Sequence, residues 1–305
     1  MRKDMKLFKN KNEVSLLYKR TKGEKVLYAI IFLLFAAYAL SMIVPFAWLL
    51  VNSLQNHIIY DINKANGSIF TLPKKLYFDN YIFSFQKLEA NGSNIFAMFF
   101  NSVWYVAAYV GGSVLMSAFT GYALSKYKFK LGGMIYAIII FSMTVPTTGT
   151  TGATFKLVND ILNIYDTPLY VILKHLNGTG LNFLIMYGFF RNVSWSYAEA
   201  GFIDGASHTK VFFQIMLPQA LPAIGTLCIM SGITAWNEYM EVLLYMPSFP
   251  TIASGMYSLS RTLPRLGNTT GYFAALVISL MPVLIVFSIF SDVIMKNFSV
   301  GGLKG

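Results

Sequence analysis

Residues 26–51 read VLYAIIFLLFAAYALSMIVPFAWLLV, a run with no charged side chain. A helix needs about 20 apolar residues to cross the hydrocarbon core of a bilayer. Val26–Val51 therefore predicts a membrane span with Pro45 as its kink. The run is longer than the core of a signal peptide and no clean small-residue cleavage site follows it, so it is read as uncleaved. The rest of the chain agrees. Of 305 residues, 55% are apolar, 16% aromatic and only 12% charged, and mean hydropathy is +0.55. A soluble domain carries about 25% charged residues. These values exclude a disordered chain and an ordinary soluble domain. They predict an all-α, polytopic helical bundle of about six transmembrane helices.

The other apolar runs are Phe96–Leu124, Leu131–Val145, Pro168–Phe190, Leu221–Met246 and Gly271–Met295, the last with Pro282 inside. The third run ends at Pro146 and the Thr/Gly stretch 147–154. The fourth is interrupted by Lys174, His175, Asn177, Gly178, Gly180 and Asn182. A broken helix at membrane depth survives only where protein or a water-filled cavity satisfies its backbone. Two readings stand for it. Either it is shielded inside the bundle, entering as a shorter helix near Leu181, or residues 168–180 form an extracellular re-entrant loop.

Charge sets the expected orientation. Residues 1–25 form a basic arm with nine Lys and Arg against three acids. Such an arm binds nucleic acid in some proteins, but beside a span it fixes topology on the cytoplasmic side, and no nucleic-acid partner is expected. With the N-terminus inside, inside segments hold 16 basic residues and outside segments 8. The loop 125–130 contributes Lys126, Lys128 and Lys130 with no acid. Both termini are thus expected in the cytoplasm, with 26–305 as one membrane domain and 52–95 as its largest external loop. Cys228 is the lone cysteine, so no disulfide forms within the chain.

The segment 191–222 is cytoplasmic in this scheme. Ser196 and Glu199 have capping-box spacing, Asp204-Gly205 supplies a turn, and Ser207 caps a second helix carrying Val211, Phe212, Ile215 and Met216 before Pro218 stops it. The two helices are too short and polar to span. Their apolar faces either pack against the ends of the spans or fill a groove on a partner.

The residues Glu199-Ala200-Gly201, Ile203-Asp204-Gly205-Ala206 and Ile215-Met216-Leu217-Pro218 resemble the EAA loop of bacterial ABC importer permeases. Asn101-Ser102, Tyr122-Ala123-Leu124-Ser125, Trp236-Asn237-Glu238-Tyr239 and the terminal Val300-Gly-Gly-Leu-Lys-Gly305 narrow the likeness to the MalG-type permease of carbohydrate-uptake ABC transporters, over about residues 25–305. The chain departs from the pattern at Gly201, where Ala is usual, and at Val193-Ser194, where Ile-Pro is expected. The resemblance implies a transport subunit, not an enzyme, in the bacterial cytoplasmic membrane. Its implied partners are a MalF-like sister permease, two cytoplasmic ATPases, an external solute-binding protein, an oligosaccharide and the surrounding lipid. It implies that Glu199, Ala200, Gly201, Asp204, Gly205, Ala206 and Ser207 couple to the ATPase. This chain has no phosphate-binding loop, so ATP and Mg belong to the ATPase partner.

Ionisable groups inside spans are costly and face a cavity or a partner. Asn101, Trp236, Asn237, Glu238 and Tyr239 are the candidate passage residues. Glu238 and Glu241, three apart, are expected on one helical face. They line the passage or contact the sister permease. Asp292 reads as an interface residue. His57, His175 and His208 are scattered and form no metal motif. Gly111-Gly112 and Gly132-Gly133 are read as close helix contacts. An ABC permease for a non-sugar solute is the nearer rival. An intramembrane enzyme is the other, and it lacks a nucleophile beside Glu238/Glu241.

Overall fold

The structure is a computed structural model that describes residues 21–68, 70–145 and 149–300, with the side chains of 263–266 and 292–300 outside the description. Most of the basic arm, the side chains of Arg265 and Asp292, part of the Thr/Gly stretch and the Gly-Lys-Gly end therefore lie outside the described residues.

The helix α1 (Lys22–Ser53) opens with a capping box, Thr21 and Glu24 each accepting the other's backbone N–H. At about 1.5 Å per residue its length exceeds the hydrocarbon core. It carries Pro45 and exposes nearly all its apolar side chains, as a lipid-facing helix does. Two short helices follow, α2 (His57–Ala65) and α3 (Asp79–Lys87). A small antiparallel hairpin, β1 (Glu89–Ala90) and β2 (Ser93–Asn94), turns at Asn91-Gly92. Next come α4 (Ile95–Lys126) and α5 (Gly132–Thr144). The helix α6 (Thr151–Lys156) runs into a π-turn at Leu157–Ile161. The predicted fourth span is two helices, α7 (Pro168–His175) and α8 (Gly180–Asn192). Beyond α9 (Ser196–Ile203) and α10 (His208–Gln219) lie α11 (Leu221–Asn237) and α12 (Met240–Tyr245). The chain continues with α13 (Ile252–Leu266) and α14 (Thr269–Val300).

The polytopic helical bundle is as expected, but its spans are not all continuous. Among the described residues, three helices are long and apolar enough to cross a membrane: α1, α4 and Thr269–Ser291 of α14. A fourth is gained only if α10 and α11, bent by 76°, count as one span. The third expected span reaches only 13 residues as α5. The fifth ends at Asn237 and resumes as α12, so Glu238 and Glu241 do not share one continuous helix face.

The fourth span is shielded by α4. Phe183, Met186 and Phe190 of α8 and Tyr170 and Val171 of α7 are buried. The break itself is served by protein, because the Thr120 hydroxyl donates to the Gly178 carbonyl at 2.7 Å. Gly180 then starts α8 from a φ of +84°, a conformation that costs glycine little. Close approach is set by glycines of α4. A Cβ on Gly121 would lie 2.8 Å from the Tyr187 backbone nitrogen, and one on Gly112 3.0 Å from the His175 carbonyl. Among the described residues of this chain, Gly111 and Gly133 have nothing within 4 Å and the atoms nearest Gly132 are those of the Phe129 ring, so three of the four expected contact glycines bring no helices of this chain together.

Three buried clusters follow α4 along its length. Near its start, Ile95 and Met98 pack with Ile252, Met256 and Leu259 of α13 and Ala275 of α14. In the middle, Tyr105 meets Tyr170, Val171, Val242 and Tyr245. Toward its end, Val114, Ala118 and Tyr122 meet Met186, Phe190 and the 196–220 segment. Gly121→Ala forces the α4–α8 backbones apart and is expected to cost about 1–3 kcal/mol, seen as a lower melting temperature of the purified chain in detergent. Gly111→Ala is the matched control and leaves the melting temperature unchanged or raises it.

Candidate coupling hairpin and passage

The hairpin 193–220 is built from local signals. Gly205 has φ +79°. The Gly205 N–H donates to Phe202 O at 3.0 Å and the Ala206 N–H to Gly201 O at 2.9 Å, which closes α9 in a Schellman motif. Ser207 accepts from the Lys210 N–H at 3.3 Å and caps α10 as expected, a contribution of about 1 kcal/mol. The expected capping box of Ser196 and Glu199 does not form. Trp195 is the N-cap of α9 and makes no side-chain cap bond. The Ser194 hydroxyl instead accepts the Ser196 N–H at 3.3 Å and pairs with the Ser196 hydroxyl at 2.7 Å. The Glu199 side chain is left free of that duty and is exposed.

Pro218 does not stop α10. A π-turn at Phe212–Met216 lies just ahead of it, and the Leu217 N–H donates to Phe212 O. Pro218 thereby falls in the first turn of the next helical segment, where its missing N–H is not needed. The stop comes at Ala220, whose N–H bonds Leu217 O, and Pro222 occupies the first turn of α11.

The apolar face of the hairpin packs on its own bundle. Ala198, Val211, Phe212 and Met216 are buried with Tyr122, Phe190 and Leu227. Gly201 is part of this. A Cβ there would sit 2.5 Å from the tip of Ile215 and 3.2 Å from Val211, so the glycine makes room for α10. Tyr127 joins the 127–131 turn to the hairpin through its hydroxyl, 2.9 Å from His208 Nδ1, and through an edge contact with Trp195. The Lys126 ammonium donates to Val193 O. Of the expected coupling residues, Gly201 is buried and Ala206 half-buried, while Glu199, Ala200, Asp204, Gly205 and Ser207 are exposed. Ile203, 86% exposed, is the apolar tip of this surface, with Tyr197 beside it at 52%.

The candidate passage residues have more structural work than the sequence implies. Asn101 Nδ2 donates to Pro250 O at 3.0 Å and its Oδ1 accepts from Trp104 Nε1 at 3.1 Å, so both ends of the amide are engaged. Trp236 donates to Ser279 O at 3.3 Å and meets Phe99 edge-on. It also lines an apolar cleft among α4, α11 and α14 with Val103, Val106, Gly232 and Pro282. Asn237 donates back to Ile233 O at 2.8 Å and is exposed. Glu238, the residue before the Tyr239 N-cap of α12, accepts the Glu241 N–H at 2.9 Å. Tyr239, 37% exposed, stacks on Tyr257 at 4.8 Å.

Lys174 and His175 are functional candidates that the sequence disguised as helix breakers. The Lys174 ammonium lies 2.7 Å from Glu241 Oε2, and His175 Nε2 lies 3.2 Å from Glu241 Oε1. The His175 ring lies against Tyr109 at 3.9 Å, and the ammonium sits over Tyr170 and Tyr245. The partners are 66 and 67 residues apart, so no local pattern announces them. Asn101→Leu leaves the Trp104 and Pro250 groups unpaired and is expected to destabilise the chain by about 1–3 kcal/mol. Asn237→Ala, at an exposed side chain bonded only to its own helix, is expected to leave thermal stability within about 0.5 kcal/mol of the parent. Thermal melts of the two variants in the same detergent distinguish a structural residue from an exposed one.

Residues 113–300, more than half of the chain, match the family model described as binding-protein-dependent transport system inner membrane component. The chain is 28% identical over 278 residues to the putative ABC transporter permease protein ORF2 of Caldicellulosiruptor sp. (strain Rt8B.4), covering 90% of this chain and 96% of that one. It is 29% identical over 282 residues to the galactooligosaccharides transport system permease protein GanQ of Bacillus subtilis (strain 168), covering 90% and 94%. A crystal structure of a bacterial ABC transporter involved in the import of the acidic polysaccharide alginate contains a chain that superposes with a TM-score of 0.75 at 21% identity, covering 90% of this chain and 99% of that chain. That likeness shows a shared fold. With its helical bundle and the family match together, the protein belongs to the inner membrane components of binding-protein-dependent transport systems and is a permease, not an enzyme.

Proposed function

We propose that this chain is one membrane-spanning subunit of an ATP-driven importer that carries an oligosaccharide across the cytoplasmic membrane by alternating access. The carbohydrate cargo rests on relatives such as the galactooligosaccharides permease and on the fold shared with an alginate importer chain. Chemically, the cargo is delivered by an external solute-binding protein, and a MalF-like sister permease completes the passage. Two cytoplasmic ATPases bind ATP and Mg. The N-terminal arm 1–25, the 125–130 loop and the C-terminus lie in the cytoplasm with the hairpin, and 52–95 lies outside.

The single observation that carries the motor coupling is the division of the hairpin into two faces. Val211, Phe212 and Met216 are buried in the bundle, while Tyr197, Glu199, Ile203 and Asp204 stand in the open on the other side. One face thus fastens the hairpin to the spans and the other is free for a cleft on an ATPase. Glu199 supplies a polar contact there, Ile203 an apolar one, and Gly205 holds the turn that joins the two short helices. A push on this unit reaches the spans through the cluster around Tyr122, Phe190 and Leu227. The two access states then differ in the partner they bind, which is the condition for switching between them.

Gly205→Val places a β-branched residue at φ +79°. Membrane insertion is expected to survive, and substrate-stimulated ATP hydrolysis by the reconstituted complex to be lost. Normal coupling in that variant would refute the role of the hairpin. Orientation has a separate test in a Cys228→Ser background. With the chain expressed without its ATPase, Asp204→Cys is expected to react with a membrane-impermeant maleimide in inverted vesicles and not in intact spheroplasts, whereas Lys74→Cys shows the opposite pattern.

A further inference from the structure

The helix α11 is a rod between two discontinuities. At one end Ala220 joins it to α10 at 76°. At the other, Glu238 leaves the helical conformation at φ −71°, ψ 117°, and α12 begins at Met240. The six-residue α12 is too short to hold its own place. Its Val242 and Tyr245 pack with Tyr105, Tyr170 and Val171. Its charged residue Glu241, with 12% of the side chain exposed, is gripped by Lys174 and His175 at the end of α7. A second stitch ties the residues flanking these helices: the N–H of Asp166, two residues before α7, donates to Tyr245 O at the end of α12 at 2.8 Å, and Asp166 Oδ1 accepts the N–H of Ser248, just beyond α12, at 2.9 Å. The rings of Tyr170 and Tyr245 stack between the two stitches at 4.9 Å. His175 in turn lies against α4, where Gly112 lets its backbone approach. Thus α12 is fastened to α7 and α4, and the 238–239 break separates it from the rod.

We propose that Glu241 is a positioning residue: by fastening α12 to α7 it makes the 238–239 break a fixed pivot, so that displacement arriving through α10 turns α11 instead of dragging the whole fifth span. This rests on the reading that an ATPase drives the hairpin. Two features suit the task. The Glu241 and His175 side chains are only 12% and 9% exposed, so removing either leaves the other's polar atoms buried without that partner, while Lys174, 39% exposed, closes the pair from the solvent side. Glu238, bonded to the Glu241 N–H, ends the rod and starts the anchored piece within the same residues.

Pulsed electron spin resonance on the reconstituted full complex tests this, in a Cys228→Ser background. One labelled pair, Leu173→Cys with Leu244→Cys, spans α7 to α12. A second, Leu173→Cys with Leu221→Cys, spans α7 to the far end of α11. Distances are compared between the nucleotide-free complex and the complex trapped with Mg-ATP and vanadate. The first is expected to change by less than about 2 Å while the second moves by roughly 5 Å. Glu241→Ala is expected to make the first distance shift with nucleotide as the second does. The charge swap of Lys174→Glu with Glu241→Lys is expected to restore its constancy, which a mere packing role for the side chain does not predict. Equal shifts of both pairs in the parent, no shift of either, or a constant first distance in Glu241→Ala would each overturn the proposal. The motor reading is judged separately: if the unlabelled parent complex does not hydrolyse Mg-ATP, that reading fails, and the nucleotide-free samples still decide whether Glu241 holds α12 in place, because Glu241→Ala is expected to broaden the α7–α12 distance distribution and the charge swap to narrow it again.

Discussion

A peptide group that leaves a helix inside hydrocarbon must find its hydrogen bond in protein, and α4 is where this chain provides it. The fourth span breaks between His175 and Gly180, yet the Gly178 carbonyl meets the Thr120 hydroxyl, and the flanking helices rest against Gly112 and Gly121. Without those small residues the two pieces stand off from α4 and the break faces lipid. The same helix threads all three buried clusters, so its small-residue face positions the hairpin at one end and the α7–α12 contact at its middle.

Apolar run length located the bundle and the discontinuities of the fourth span because both are properties of contiguous residues. The Asp204-Gly205 turn and the Ser207 cap were legible for the same reason: each needs only neighbours within three or four positions. The Ser196–Glu199 capping box failed on an equally local competitor, because Ser194 took the Ser196 N–H first. Pro218 misled for a subtler reason. Its usual effect assumes an α-helical ladder, and the π-turn ahead of it shifts that ladder by one residue.

The passage residues were harder. Glu238 and Glu241 share a face only if the helix between them is continuous, and the chain breaks at that point. Asn101 has polarity suited to a sugar, but its amide is used to hold Pro250 and Trp104. Lys174 and His175 looked like punctuation in a weak span because their partner is encoded far along the chain. Polar residues in the membrane mark an unmet need for partners, and the sequence states the need without naming the partner. Gly201 teaches the converse. Its departure from the family pattern reads as a loss of helix propensity, but it is matched by the Ile215 side chain that fills the vacated space.

The two-piece fourth span also bears on how the chain enters the bilayer during synthesis. The insertion machinery partitions segments by hydrophobicity, and lysine near a helix centre is penalised by about 2.5–3.5 kcal/mol. The α7–α8 stretch, with Lys174 and His175 at the end of α7 and a helix break before Gly180, is a poor independent client. Its entry is best served when α4 is already in the membrane to receive it. Damage to the small-residue face of α4 would then surface first as misrouted, proteolysed chain in the cell, before any defect in a finished transporter is seen.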